Sequence, residues 1–281
     1  MTRIAFLDVD GTILEHGSVI APSTVEAIRQ ARANGHLVWL CTGRAEADIH
    51  PDVTAIGFDG AISNGGAYAT RGGETLIERP LPRADVEALE GYFGAHGIHY
   101  FLQTHDAVYA SPGMAETMEE FLRSRHAQRA EELEALGLPS DIDHRQRDLR
   151  AVAEVDRDRV AKAVFVSSSP DTVAHAAAEL GDGFHVIPGS MPLPGGSNGE
   201  IGQAGVTKGS AITEVLDVLG LSATDAIGMG DSWNDVEMFE VVGTPVAMGN
   251  AEPELQRLAG RVTTAVLEDG VHNAFAELGL I

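Results

Sequence analysis

Residues 4–12 read Ile4-Ala5-Phe6-Leu7-Asp8-Val9-Asp10-Gly11-Thr12. Ile4 to Leu7 is a short apolar run, long enough for a buried strand. It stops at Asp8. Asp10 follows at the spacing that places two side chains on the same side of an extended chain. Gly11 then lets the backbone turn sharply. Two carboxylates at the tip of a buried strand repel each other and are costly to desolvate, and a bound cation or a shared proton relieves both. A calcium loop fits poorly: an EF-hand starting here needs Gly at its sixth position and Glu at its twelfth, where Ile13 and Val19 stand.

Working outward, the chain alternates strand and helix. A helix is expected from a capping box at Ser23-Thr24-Val25-Glu26 to a stop at Asn34-Gly35. His36 to Cys41 reads as a second apolar strand ending at Thr42-Gly43-Arg44. A third short run ends at Asn64-Gly65-Gly66, and Arg71-Gly72-Gly73 joins a hairpin. After Pro80 and Pro82 the character changes. A helix from Arg83, paired strands at 99–103 and 107–111, a charged helix over 116–136 and a polar stretch over 141–150 follow. Two more strands, at 162–167 and 184–187, flank a helix over 171–180. Residues 188–199, rich in Pro, Gly and Ser, read as a crossing loop.

Alternation then resumes with a helix over 209–219, a strand ending at Gly230-Asp231, a second at 245–248 and a third at 262–264. The expectation is an α/β fold: a Rossmann-like, doubly wound parallel sheet covered on both faces, with an inserted α+β cap domain. The boundaries expected are 1–81 plus 188–281 for the core and 82–187 for the insert.

Three apolar strands thus end in polar chemistry, at Asp8, Thr42 and Asp231. Ligands of open parallel α/β sheets bind outside the carboxyl ends of the strands. The fold should therefore gather Asp8, Asp10, Thr42 and Asp231. Gly230-Asp231-Ser232-Trp233-Asn234-Asp235 adds hard oxygen ligands suited to Mg²⁺; taken alone it also reads as an Asp-rich helix cap. Lys208 stands at a helix N-terminus, where the dipole disfavours a cation unless an anion is near. It is one of only two lysines, the other being Lys162. No P-loop surrounds it.

These stretches, in this order, resemble the four motifs of the haloacid dehalogenase superfamily in its phosphatase form: Asp8-x-Asp10-x-Thr12, Thr42, Lys208, and Gly230-Asp231 to Asp235. The position of the insert, the Asn234-Asp235 ending and Asn64-Gly65-Gly66 are similar to the Cof-like sugar-phosphate phosphatases with a type-IIB cap. In the cap the likeness is topological only. The resemblance implies that Asp8 is the nucleophile, forming an aspartyl phosphate, and that Asp10 is general acid and base. Mg²⁺ would be held by Asp8, the Asp10 main-chain carbonyl and Asp231. Gly11, Thr42, Gly43, Asn64, Lys208 and Asn234 would bind phosphate or substrate, and Asp235 would orient Lys208. The implied function is Mg²⁺-dependent hydrolysis of a small phosphorylated metabolite, foremost a sugar phosphate. A sugar phosphomutase and a non-catalytic sensor of phosphorylated ligands are the alternatives. Intact Asp8 and Asp10 weigh against the sensor.

Composition sets further bounds. Net charge is −23, from 42 acidic and 19 basic residues, which repels nucleic acid and anionic membrane. The single cysteine, Cys41, excludes an intrachain disulfide and a cysteine-based zinc site. It reads as core packing. The 11 histidines show no metal-ligand spacing. With no leader-like opening and no long apolar run, a cytoplasmic protein is expected; nothing in the sequence sets an oligomeric state. The basic cluster from His144 to Arg150 is a solvated loop or a second anion contact. Lys162, at the start of an apolar strand, is set aside as a Schiff-base lysine.

Overall fold

The computed structural model describes residues 2–15, 19–119, 149–189 and 196–281. They form two compact units, Met1–Pro80 with Gly202–Ile281, and Leu81–Ile201.

The first unit is built on a seven-stranded sheet, in the order Thr244–Ala247, Ala226–Gly230, Ile4–Leu7, Leu37–Cys41, Gly60–Ser63, Tyr68–Arg71, Glu74–Glu78. The first five strands are parallel, and the last two form the antiparallel hairpin expected around Arg71-Gly72-Gly73. Ile4–Leu7 lies at the centre, pairing on one side with Ala226–Gly230 and on the other with Leu37–Cys41. The chain builds the sheet in one direction from this strand, then returns to build it in the other. The carboxyl end of Ile4–Leu7 is therefore the topological switch point of the sheet.

All four residues of this strand are fully buried. They alternate between two apolar layers, as the period of an extended chain requires. Ala5 and Leu7 pack with Ala27, Ile28, Val271 and Phe275 from the helices Pro22–Ala33 and Gly270–Glu277. Ile4 and Phe6 pack with Ala211, Ile212, Met238 and Leu255 from the helices Lys208–Leu219, Val236–Val241 and Pro253–Ala259. Both faces are covered, so the strand carries no solvent-facing polar position until Asp8 ends it.

Among the described residues, Leu81–Ile201 holds a six-stranded mixed sheet, ordered Leu149–Ala151, Val108–Ala110, His99–Gln103, Lys162–Ser167, Ser197–Gln203, Phe184–Pro188. Leu89, Phe93, Tyr100, Leu102, Phe165 and Ala176 knit it to the helices Arg83–His96 and Thr172–Leu180. No helix of the described residues is long and apolar enough to cross a membrane.

Four local expectations are revised. The helix begins at Pro22, with Ala21 as its cap and no side-chain capping bond. Proline at the first helical position is pre-set for the helix and needs no N–H partner, so the Ser23 capping box does not form. Ser23 donates instead to Asp269, Oγ to Oδ1 at 2.5 Å. Residues 197–199 are strand, not loop, and they place the return to the first unit near 201–202 instead of 188. The Ser197-Asn198-Gly199 composition misleads because its small residues serve packing: a Cβ at Gly199 would lie 2.5 Å from the Phe165 ring. Val262 makes only an isolated bridge to Ala247. Residues 114–119 are helical and Leu149–Ala151 is strand, while the rest of the 116–136 helix and the 141–148 stretch lie outside the described residues.

Phe6 touches the Trp39 ring, with centroids 6.2 Å apart, in a layer without solvent. Phe6→Ala is expected to lower unfolding stability by about 3–5 kcal/mol, read as a shifted denaturant midpoint with an unchanged slope.

Candidate active site

Asp8 falls on the same side of its strand as Ile4 and Phe6. That side is covered by the helix opening at Lys208. Strand alternation thus aims the carboxylate at the lysine, which lies 200 positions away in sequence. The Lys208 ammonium is buried and spends all three donors: on Asp8 Oδ1 at 2.7 Å, Asp235 Oδ1 at 2.6 Å and Asn234 Oδ1 at 3.2 Å. Its pKa stands well above the ordinary value. Burial opposes this, but the charges of Asp235 and Asp8 outweigh burial. The anion that a cation at a helix start requires is therefore supplied by two carboxylates of the protein itself.

Asp235 is fully buried and fully used. Its second oxygen, Oδ2, accepts from the main-chain N–H groups of Asp231 and Ser232 at 3.0 and 3.1 Å. It therefore shapes the 230–235 turn and holds Lys208. Asn234 accepts from Lys208 and from Ser232 Oγ. Gly11 lies at φ +81°, and a Cβ there would sit 2.0 Å from Asp231 Oδ2. Only glycine allows both the turn after Asp10 and the approach of Asp231. Gly66, at φ +110°, likewise lets the loop after the third strand pack onto the Thr207 carbonyl, 2.1 Å from where a Cβ would stand.

Thr42 is buried at the end of Leu37–Cys41. Its N–H donates to Ile62 and its carbonyl accepts from Gly65 N–H, at 2.9 and 3.0 Å. Its hydroxyl oxygen accepts from Arg44 N–H at 3.1 Å, which leaves the hydroxyl proton to donate. Gly43 links Thr42 to Arg44. Asn64 adopts the left-handed conformation, φ 51°, and its N–H donates to the Arg44 carbonyl at 2.7 Å. Its side-chain oxygen accepts from Ser63 Oγ at 3.3 Å.

Carboxylate oxygens of Asp8, Asp231 and Asp235 lie within 4.8 Å of one another. Both Asp235 oxygens already accept N–H groups, so the oxygens open to an ion are those of Asp8 and Asp231. Asp231 Oδ1 is buried with no hydrogen-bond partner, an arrangement that costs free energy unless a cation completes it. The charge count agrees. Asp8, Asp10, Asp231 and Asp235 face Lys208 and Arg44, so the cluster is two positive charges short of neutral. Burial pushes the Asp231 carboxyl up to about 9, with Asp8 and Asp235 adding to the rise and Lys208 opposing it. Burial raises Asp8 as well, again against Lys208. An all-oxygen set of this charge suits a hard divalent cation such as Mg²⁺.

Two residues of the site were missed as functional in the sequence. Arg44 pairs with Asp10. Asn250 donates through Nδ2 to the Gly11 carbonyl at 2.9 Å, lies 3.5 Å from Asp231 Oδ2, and accepts from Val266 N–H at 3.3 Å. Both follow strands that end on the same sheet edge, and that position was the available signal. Cys41 is buried, and burial pushes its thiol well up, so it is unsuited to nucleophilic work. Lys162 is buried and paired with Glu200 at 2.5 Å. Of the basic cluster, Arg150 lies on an edge strand over the Tyr109 ring, and 144–147 lie outside the described residues.

The sequence matches the haloacid dehalogenase-like hydrolase family over residues 5–275. The chain belongs to that family. It is similar to the 5-amino-6-(5-phospho-D-ribitylamino)uracil phosphatase YwtE of Bacillus subtilis, at 28% identity over 94% of each chain. It is also similar to the pyridoxal phosphate phosphatase YbhA of Escherichia coli, at 28% identity over 93% of each. The fold matches that of the subclass IIB sugar phosphatase BT4131 with a TM-score of 0.79 over the whole of both chains, at 21% identity. The chain is thus an enzyme, a phosphatase of the haloacid dehalogenase type.

Two outcomes follow from this geometry. Gly11→Ala is expected to weaken Mg²⁺ binding at least about tenfold by calorimetry, because the added methyl displaces the Asp231 carboxylate. The second concerns pH. A carboxyl whose folded pKa exceeds its unfolded value, about 3.9 for Asp, favours the fold while protonated, and that contribution is lost as pH rises through the folded value. The metal-free protein should therefore lose stability from Asp8 and Asp231 as pH climbs toward 9. Added Mg²⁺ should raise the melting temperature more at pH 8.5 than at pH 6, and should release protons on binding.

Proposed function

We propose that the protein hydrolyses a small phosphorylated metabolite, foremost a sugar phosphate, in a Mg²⁺-dependent reaction through an aspartyl phosphate on Asp8. The observation that carries the proposal is the buried Lys208 ammonium holding Asp8 at the switch point beside Asp231. An anionic nucleophile meeting an anionic phosphate needs positive charge beside it, which Lys208 supplies and a cation held at Asp8 and Asp231 would add.

Asp8 attacks phosphorus in line, and the bond from phosphorus to the leaving oxygen breaks. Asp10 gives that oxygen a proton. In the second half water attacks the aspartyl phosphate, Asp10 takes the water proton, and Asp8 is released with inorganic phosphate. Lys208 orients Asp8 and offsets charge on the transferring group. The Thr42 hydroxyl and the Gly43 N–H are the groups that would meet its oxygens, since the N–H groups of Gly11 and Asn64 donate to Leu14 and Arg44. Asp8, Asp231 and the Asp10 carbonyl are the groups that would hold Mg²⁺, which when bound neutralises phosphoryl oxygens. The unit Leu81–Ile201 is read as the cap that selects the leaving group. The relatives named for pyridoxal phosphate and phosphoribitylaminouracil direct the substrate search to phosphorylated metabolites of similar size.

The deciding experiment is phosphate release from a panel of phosphorylated metabolites with Mg²⁺ or EDTA. Release that EDTA abolishes is expected, with an acid-stable phosphoryl adduct on Asp8 in quenched samples. Asp8→Asn should lower kcat by at least about a thousandfold in protein that circular dichroism shows to be folded. Isomerisation without free phosphate would identify a mutase. Full Mg²⁺-dependent activity in Asp8→Asn would end the proposal.

A further inference from the structure

Asp10 is held by a partner that none of these roles uses. Arg44 grips it through two parallel hydrogen bonds, Nε to Oδ2 at 2.6 Å and Nη2 to Oδ1 at 2.7 Å. The guanidinium is itself fixed from behind, because Nη1 donates to the Asp48 carbonyl at 2.9 Å. Its backbone is tied on both sides, by Arg44 N–H to Thr42 Oγ1 and by Asn64 N–H to the Arg44 carbonyl. The Arg44 side chain is 20% exposed and that of Asp10 is 47% exposed. A carboxylate that open, on a glycine turn, would otherwise sample several rotamers. The planar fork sets its position and also its plane, which a lysine could not do. Each oxygen of a carboxylate has two acceptor sites. The fork takes one from each.

We infer that Arg44 is the positioning residue for Asp10: its two-pronged grip holds the carboxylate in the orientation that exchanges a proton with the leaving oxygen and then with water. The inference rests on the acid–base role of Asp10 proposed above. The edge of the guanidinium formed by Nε and Nη2 is taken up by Asp10, and Nη1 is turned to the Asp48 carbonyl, so three of its five N–H donors already serve protein acceptors.

The two roles differ in how the loss depends on the leaving group. An alkoxide needs its proton at the transition state, whereas a nitrophenolate departs with little help. The test is kcat/KM, which reports the first half-reaction, for 4-nitrophenyl phosphate and for a series of alkyl phosphates. Wild type, Arg44→Gln, Arg44→Lys, Asp10→Asn and the double variant Asp10→Asn/Arg44→Gln are compared with Mg²⁺ present. Arg44→Gln is expected to lose on the order of a hundredfold on alkyl phosphates and less than about fivefold on 4-nitrophenyl phosphate. Arg44→Lys should behave like Arg44→Gln, and the double variant should be no worse than Asp10→Asn alone. Should Arg44→Gln melt early, the comparison is read on Arg44→Lys.

A loss of equal size on every leaving group, or a double variant worse than Asp10→Asn by the full Arg44 factor, overturns the inference and assigns Arg44 to the phosphoryl group. If Asp10→Asn itself shows no leaving-group dependence, the acid–base role fails, and the positioning role fails with it. A steep dependence in Asp10→Asn beside a flat one in Arg44→Gln removes the Arg44 inference alone.

Discussion

A lysine ammonium buried between two carboxylates organises the first unit. Taking Lys208, Asp8 and Asp235 out of water is costly, and only their mutual attraction in a medium of low polarizability offsets it. Removing one partner from such a group leaves an uncompensated buried charge, an effect worth several kcal/mol. The arrangement therefore has one good solution. It joins the end of the central strand, the start of the helix Lys208–Leu219 and the turn at 230–235. The neighbouring features serve that junction: Asp235 gives its other oxygen to the turn, and Gly66 lets a third segment close over the helix start.

The same junction is not electrically complete. Lys208 answers Asp8 and Asp235, and Arg44 answers Asp10, but Asp231 keeps a buried oxygen without a partner. The raised pKa of Asp231 expresses that deficit as an affinity for protons. A hard divalent ion competes for the same deficit. A site built this way would trade stability of the empty state for affinity toward such an ion.

Precision at the rim comes from backbone as much as from side chains. Thr42, Arg44, Asn64 and Gly65 exchange main-chain bonds, so the second and third strand ends form one stiff border. Asn250, after the strand Thr244–Ala247, ties that strand end to the turn after Asp10 through the Gly11 carbonyl. Exposed catalytic loops lose rate when they wander by an ångström. Here each loop follows a strand whose apolar residues are largely buried.

Much of this was legible in the linear chain. The apolar run before Asp8, the spacing of Asp10, the lone Lys208 at a helix start and the Gly-Asp turn at 230 each carry local signals, because strand period, helix polarity and carboxylate chemistry act over a few residues. They were enough for the α/β class and the interrupted sheet. What the chain did not disclose depends on distance. The pairing of Arg44 with Asp10 spans 34 positions, and that of Asn250 with Gly11 spans 239. No local propensity encodes either one. The strand at 197–203 was hidden because Gly199, which reads as a loop residue, is there to pack against the Phe165 ring. Sequence alone determined which groups stand at the strand ends. Tertiary structure decided which of those groups touch, because burial and charge pairing are settled only when the whole sheet has closed.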